Sequence, residues 1–408
     1  MRQPTHFLAT PMKQRWSTYC AAPHRGFFLT GALQAVLVLL WWMLDREGRG
    51  LGGTGLGSLP GVALHAWWLI YGFFPFFIFG FLFTAMPNWL DSPPISRRAY
   101  VASGLLMALG VLLVYTPLAP VGLALHLAGW SVAVAALAQN LIAAPKQDKR
   151  HAGIVTFAAA LGGIGDALFL AWAVADYGDA FRLVLALGIW GFLMPLFLAV
   201  CHRMLPWFSS LVIPSYVLIR PYGPLWGLLL ACLAHGSFEA AGLRAWLWLV
   251  DIPMALVIFW FASRWGVLRG VRQERLLAML HIAFLWVGPA MLLYAADSLS
   301  LFFGLAWGAG LAPLHALSIG FFTSLLLAMA SRVSLGHSGR KLVADRVTWW
   351  LFWLLQAVAC LRMASDLLPA EQSLFIRSAG GLWLLTFAWW AWKYAPMYWR
   401  PRADGKAG

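Results

Sequence analysis

The sequence predicts an all-α polytopic membrane protein of twelve transmembrane helices with both termini in the cytoplasm. Three observations predict it: the composition, the spacing of apolar runs and the placement of Lys and Arg. The 408 residues are 62% hydrophobic and 11% charged, with a mean hydropathy of +0.75; soluble domains carry roughly 25% charge. Runs long enough to span a bilayer, about 20 residues each, lie at 27–44, 62–86, 98–115, 118–143, 152–175, 181–202, 218–236, 244–263, 276–296, 312–332, 347–367 and 374–395. With the N-terminus inside, 23 of the 29 Lys and Arg fall on the cytoplasmic side. Only Arg46, Arg49, Arg182, Arg244, Arg362 and Arg377 fall outside, the bias expected of a correct helix count.

The domain plan follows: a cytoplasmic tail over 1–26, a transmembrane domain over 27–396 and a second cytoplasmic tail over 397–408. The net charge of +14 is then a topology signal, so the lipid bilayer is the partner and nucleic acid is not. The first 26 residues are polar and basic, and no small-residue cleavage site follows, which predicts a retained first helix and not a signal peptide. Cys20, Cys201, Cys232 and Cys360 show neither CxxC nor CxxCH spacing, against a zinc knuckle, a disulfide framework or covalent haem attachment.

Along the chain, the first helix ends in the Gly-rich stretch Gly48 to Gly57, read as a flexible external loop. The second helix opens with His65, and the fourth carries His126. The fifth holds Gly162, Gly163 and Gly165, a small-residue face for close packing, beside Asp166. His202 and Arg203 end the sixth helix, His235 lies in the seventh, Asp251 in the eighth and His281 early in the ninth. Leu299 to Leu311 is a surplus apolar run too short to cross. The tenth helix runs from His315 to Arg332, and His337 follows in a Gly-bounded loop. Tryptophan pairs such as Trp41-Trp42, Trp67-Trp68 and Trp349-Trp350 read as an interfacial belt. No long repeat is apparent.

The histidines sort by depth. His65, His126, His235 and His315 share the outer leaflet, with His315 about 25 Å from Arg332 at 1.5 Å per residue. His202 and His281 form an inner layer, while His24, His151 and His337 lie in or beside cytoplasmic loops. A lone imidazole in lipid is usually a hydrogen-bonded contact, but several at one depth on facing helices is how bundles build haem and metal sites. Imidazole suits iron, copper and zinc alike. Asp166 reads as a hydrogen-bonded structural acid or, second, a proton relay.

The stretch Leu314-His315-Ala316-Leu317-Ser318-Ile319-Gly320, with Ser331-Arg332-Val333-Ser334-Leu335-Gly336-His337-Ser338-Gly339-Arg340, resembles the C-terminal signature of the NnrS family. Arg25-Gly26-Phe27-Phe28-Leu29, Phe83-Thr84-Ala85-Met86-Pro87-Asn88-Trp89, Arg203-Met204-Leu205-Pro206-Trp207-Phe208 and Leu280-His281 are similar to further family motifs. The resemblance implies a bacterial inner-membrane protein containing haem b and copper, associated with nitric oxide metabolism or protection from it. Its enzymatic form would be a haem-dependent nitric oxide oxidoreductase, with nitric oxide or another small diatomic as ligand and an unidentified electron donor. His65 and His315 are the expected haem-ligand pair and His281 a candidate for a second site. Arg332, with Arg203, has the charge for haem propionates if a haem faces inward; His337, His126 and His235 are further candidate metal ligands. One departure stands out. Where the family commonly has W-H-A-H-E-M, this chain reads Leu64-His65-Ala66-Trp67-Trp68-Leu69, so tryptophans replace a histidine and a glutamate, and copper is in doubt here. The competing readings are a cofactor-free transporter or channel, and a quinol-linked electron-transfer module with a haem in each leaflet.

Overall fold

The computed structural model describes residues 12–51, 56, 59–175 and 180–405, and every regular element among them is helical. Twelve long helical segments follow one another: α1 Pro23–Gly50, α2 Gly61–Leu90, α3 Arg97–Val114, α4 Ala119–Ala143, α5 Arg150–Ala175 and α6 Ala180–Val212. After these come α7 Tyr222–Ala240, α8 Trp248–Arg264, α9 Arg275–Phe302, α10 Ala312–His337, α11 Arg346–Leu367 and α12 Gln372–Tyr394. Among the described residues nine are long and apolar enough to cross a membrane, or ten if α8 and the bent Val267–Gln273 helix count as one span. The protein is therefore an all-α, multi-pass membrane protein. Segments α7 and α12 fall outside that set. His235 and Glu239 in the first, and Lys393 with four tryptophans in the second, lower their hydropathy.

Several helix ends differ from expectation. Segment α6 runs two to three turns past Arg203, and α10 continues to His337, which closes the helix and does not sit in a loop. Only the first turn of the apolar run after the ninth segment is helix; α9 extends to Phe302, and a turn follows in which Asp297 accepts from the Ala309 N–H at 2.7 Å. Half of the Gly48–Gly57 stretch lies outside the described residues, and α1 itself reaches Gly50.

The segments form three groups of four, α1–α4, α5–α8 and α9–α12. Each group packs onto the next through α4 on α5, α8 on α9 and α12 on α1, so the ring closes on itself. Segments α2, α6 and α10 occupy the centre and are the three most buried of the nine, with 72–78% of each apolar window inside the protein. All three lose regular geometry at one level. Residues Leu187–Leu193 of α6 and Ala316–Thr323 of α10 are π-helical, and α2 is interrupted between Ile70 and Phe74. A Gly-Phe pair marks each irregularity: Gly72-Phe73, Gly191-Phe192 and Gly320-Phe321. Side chains satisfy the carbonyls that a wide turn frees. The Tyr71 hydroxyl donates to the Val184 carbonyl at 2.7 Å, Thr323 to Ser318 at 2.8 Å and Ser324 to Ile319 at 3.0 Å. Just beyond, Phe74, Phe197 and Phe322 meet ring to ring at 4.9–6.0 Å.

The small-residue face of α5 packs as expected. A Cβ at Gly162 would strike the Trp130 ring, and one at Gly165 the Tyr71 phenol, so glycine lets both rings reach the helix. The two described ends of the chain meet on one face, hereafter the terminal face. There helix Met12–Tyr19 packs on Pro396–Trp399, and Arg25 donates to the Arg400 carbonyl at 3.0 Å. The opposite face is termed distal.

Candidate functional site

His65 and His315 start α2 and α10 on the distal face, placed there by Pro60 before the one helix and Pro313 in the first turn of the other. His315 Nδ1 lies 2.9 Å from the Leu311 carbonyl. A carbonyl only accepts, so Nδ1 carries the proton and Nε2 keeps its lone pair. Asp366 lies 3.7 Å from the same ring and 3.4 Å from Arg362, both on α11. The His65 ring stacks on Trp42 with centroids 4.3 Å apart, and its Nδ1 is buried without a hydrogen-bond partner. Arg362 is within electrostatic reach of both imidazoles, and His65 within reach of His315.

The other two distal histidines do not join them. His126 Nδ1 is 2.8 Å from Asp166, whose second oxygen accepts from the Trp67 indole at 2.7 Å. Two donors from two other helices thus satisfy a carboxylate that would otherwise be costly at membrane depth. The Trp67 N–H thus binds the acid. Trp68 stacks on Tyr115 at 4.1 Å and meets Trp41 edge-on. His235 forms its own group: Nδ1 is 2.6 Å from Asp251, Nε2 3.5 Å from Glu239, and Trp190 covers the ring at 3.6 Å while donating to Glu239 at 2.9 Å.

On the terminal face the histidines pair without carboxylates. His281 Nε2 is 3.0 Å from the Ser209 hydroxyl, far from His65 and His315 along the helices. His151 and His202 share a 2.9 Å hydrogen bond. The His24 and His337 rings lie 4.6 Å apart. Beside His337 a cavity of about 570 Å³ opens between α2, α6 and α10. Its walls repeat by the internal register. Twelve residues past each central Gly stand Thr84, Arg203 and Arg332, and seventeen past stand Trp89, Phe208 and His337. Arg220 and Arg402 reach it from the α6–α7 connection and the C-terminal segment. Arg332 thus lies at the opposite end of α10 from His315, as the count of residues along the helix predicts. Arg220 and Arg402 carried no spacing signal, since the fold alone brings them here.

Three of the motif segments, around Thr84–Trp89, Arg203–Phe208 and Arg332–His337, line this one cavity. The family model described as NnrS protein matches residues 18–402. The chain belongs to the NnrS family. No curated protein matches it. NnrS proteins are haem- and copper-containing membrane proteins linked to nitric oxide metabolism. For copper the donor set is poor, because among the described residues no three His, Cys, Asp or Glu side chains are grouped to hold a metal ion. For haem the fit is better. Two histidines from facing helices suffice as axial ligands, and a ring nitrogen held by a carbonyl is the usual orientation of a ligating imidazole.

Proposed function

We propose that this NnrS protein is a haem-binding protein of the bacterial inner membrane that acts in nitric oxide metabolism or protection from nitric oxide. His65 and His315 would hold haem b on the distal face, and Arg362 would supply a cation for its propionates. The observation that carries the reading is the convergence of those two histidines from two of the three central helices, each with a ring nitrogen free of protein hydrogen bonds. A bound haem would supply an iron that ligates diatomic gases and exchanges single electrons. The chain's own part is to fix the imidazole tautomer through Leu311, to cover one ring with Trp42 and to place Asp366 against Arg362. Any redox turnover of nitric oxide, and its electron donor, belongs to this reading as its enzymatic form.

The topology is part of the proposal: twelve crossings with both termini and the arginine cavity in the cytoplasm, as the 23-to-6 split of Lys and Arg favours. Alkaline phosphatase fusions in the α1–α2 and α9–α10 connections should be active, and those in the α2–α3 and α10–α11 connections silent. The haem assignment is tested by the pyridine haemochrome and Soret spectra of the purified protein. His65→Ala and His315→Ala should each abolish or shift the Soret band; a haem-free protein, or an unchanged spectrum in both variants, would sink it.

A further inference from the structure

The cavity on the terminal face is chemically unlike the proposed haem site. Its lining contains Arg203, Arg220, Arg332 and Arg402 but no Asp or Glu. Only Arg402 is neutralised, by Asp404 at 2.6 Å, while it also donates to the His337 carbonyl. Among the described residues Arg203, Arg220 and Arg332 form no ion pair with a carboxylate. Arg203 and Arg332 lie on aromatic faces, over Trp89 at 4.9 Å and Phe208 at 4.1 Å. Stacking fixes a guanidinium plane but leaves its N–H fork free. Asp91, Asp148 and Glu274 act on Arg203 or Arg332 only from a distance, without touching them. Arg203 and Arg220 repel one another across this half-buried space, and low dielectric strengthens the repulsion. An anion seated among them removes that cost and takes up the free donors.

The inner wall is apolar. Phe81, Met329 and Val333 line the cavity and also line a smaller pocket of about 50 Å³ lying toward Phe197. The space is thus graded from cationic at its mouth to hydrocarbon at its floor, and its volume falls in the range of small-molecule sites, roughly 300–1,000 Å³.

We propose that this cavity binds an amphiphilic anion, a carboxylate or phosphate carried on an apolar body. The head sits among Arg203, Arg220 and Arg332, and the body lies against Phe81 and Met329. The inference is independent of the haem reading and concerns the other face of the protein. It is tested with the full-length protein in neutral maltoside detergent, titrated with octanoate and octyl phosphate and followed by calorimetry and thermal unfolding. Both probes should bind saturably and raise the Tm, whereas methyl octanoate, the same chain without charge, should do neither. Arg203→Gln and Arg332→Gln should each weaken octanoate binding about tenfold, the loss expected for a charge-assisted hydrogen bond. Arg203→Lys keeps the charge and should retain most of the affinity, and the exposed Arg272→Gln should change nothing. Native mass spectrometry separates the two sources: a phospholipid adduct lost in the Arg→Gln variants identifies a lipid, and binding of the added probes to adduct-free protein identifies a free organic anion. Equal binding of methyl octanoate, or undiminished octanoate affinity in both Gln variants, would overturn the proposal. So would displacement of haem by octanoate, since that places the probe in the haem site.

Discussion

The two faces of this NnrS protein solve the same problem, a histidine at the edge of hydrocarbon, in opposite ways. On the distal face His126, His235 and His315 each have a carboxylate within 2.6–3.7 Å. On the terminal face His151 pairs with His202, His24 with His337 and His281 with a serine. A carboxylate fixes which ring nitrogen carries the proton and leaves the other ready to ligate. An imidazole pair does not supply negative charge, and Arg203, Arg220 and Arg332 near these pairs have no carboxylate in contact among the described residues. One face is built to orient imidazoles, the other to attract anions.

Removing an acid from the distal face breaks the comparison most severely. Asp166→Ala leaves the His126 and Trp67 N–H groups buried without an acceptor, and the loss should be about 3 kcal/mol, read from thermal unfolding in detergent. Asp166→Asn, which keeps an acceptor, should lose less; equal loss in both would mean that packing and not the hydrogen bonds holds the pair. A smaller effect is expected on the terminal face. His202→Ala deletes bonds to His151 and to the Pro221 carbonyl and should cost about 1–2 kcal/mol. A loss exceeding that of Asp166→Ala would reverse the ranking of the two faces.

The smallest effect concerns Asp148, in the connection before α5. The hydrogen bond from Arg150, ahead of the opposing effect of burial and a bond from Tyr222, holds its carboxyl well below the usual carboxylate range. A depressed value means that the ion pair stabilises the fold above the unfolded carboxylate's range, near 4, and that the contribution disappears as pH falls through the lowered value. The pair is solvent-exposed, so its contribution is modest and screened. Asp148→Asn should lower the Tm slightly at neutral pH and low salt, with no difference in acid or at 1 M salt; a difference that persists in acid would assign the effect elsewhere.

Much of this fold was legible in the chain. Each of the twelve apolar runs became a helical segment, because uninterrupted hydrophobic stretches of that length have few alternatives in lipid. The depth of His65 and His315 followed from counting residues along those runs. Their separation from His126 and His235 did not, since depth says nothing of which way a side chain turns around the helix. The threefold arrangement was equally hidden. It survives as a Gly-Phe pair in α2, α6 and α10 and as shared cavity positions, too little to register as a repeat. The arginine cavity depends on Arg220 and Arg402, and their approach is fixed by tertiary packing alone.

One last consequence concerns the contact of Phe74, Phe197 and Phe322. Three phenyl rings from the three central helices form an insulating plug between the faces. Water and ions following the arginine cavity inward reach only hydrocarbon there, and a dry constriction of this kind is a high barrier to charge. A small uncharged gas meets no such barrier. The protein can thus keep an arginine-lined cavity open on one face without short-circuiting the membrane it sits in.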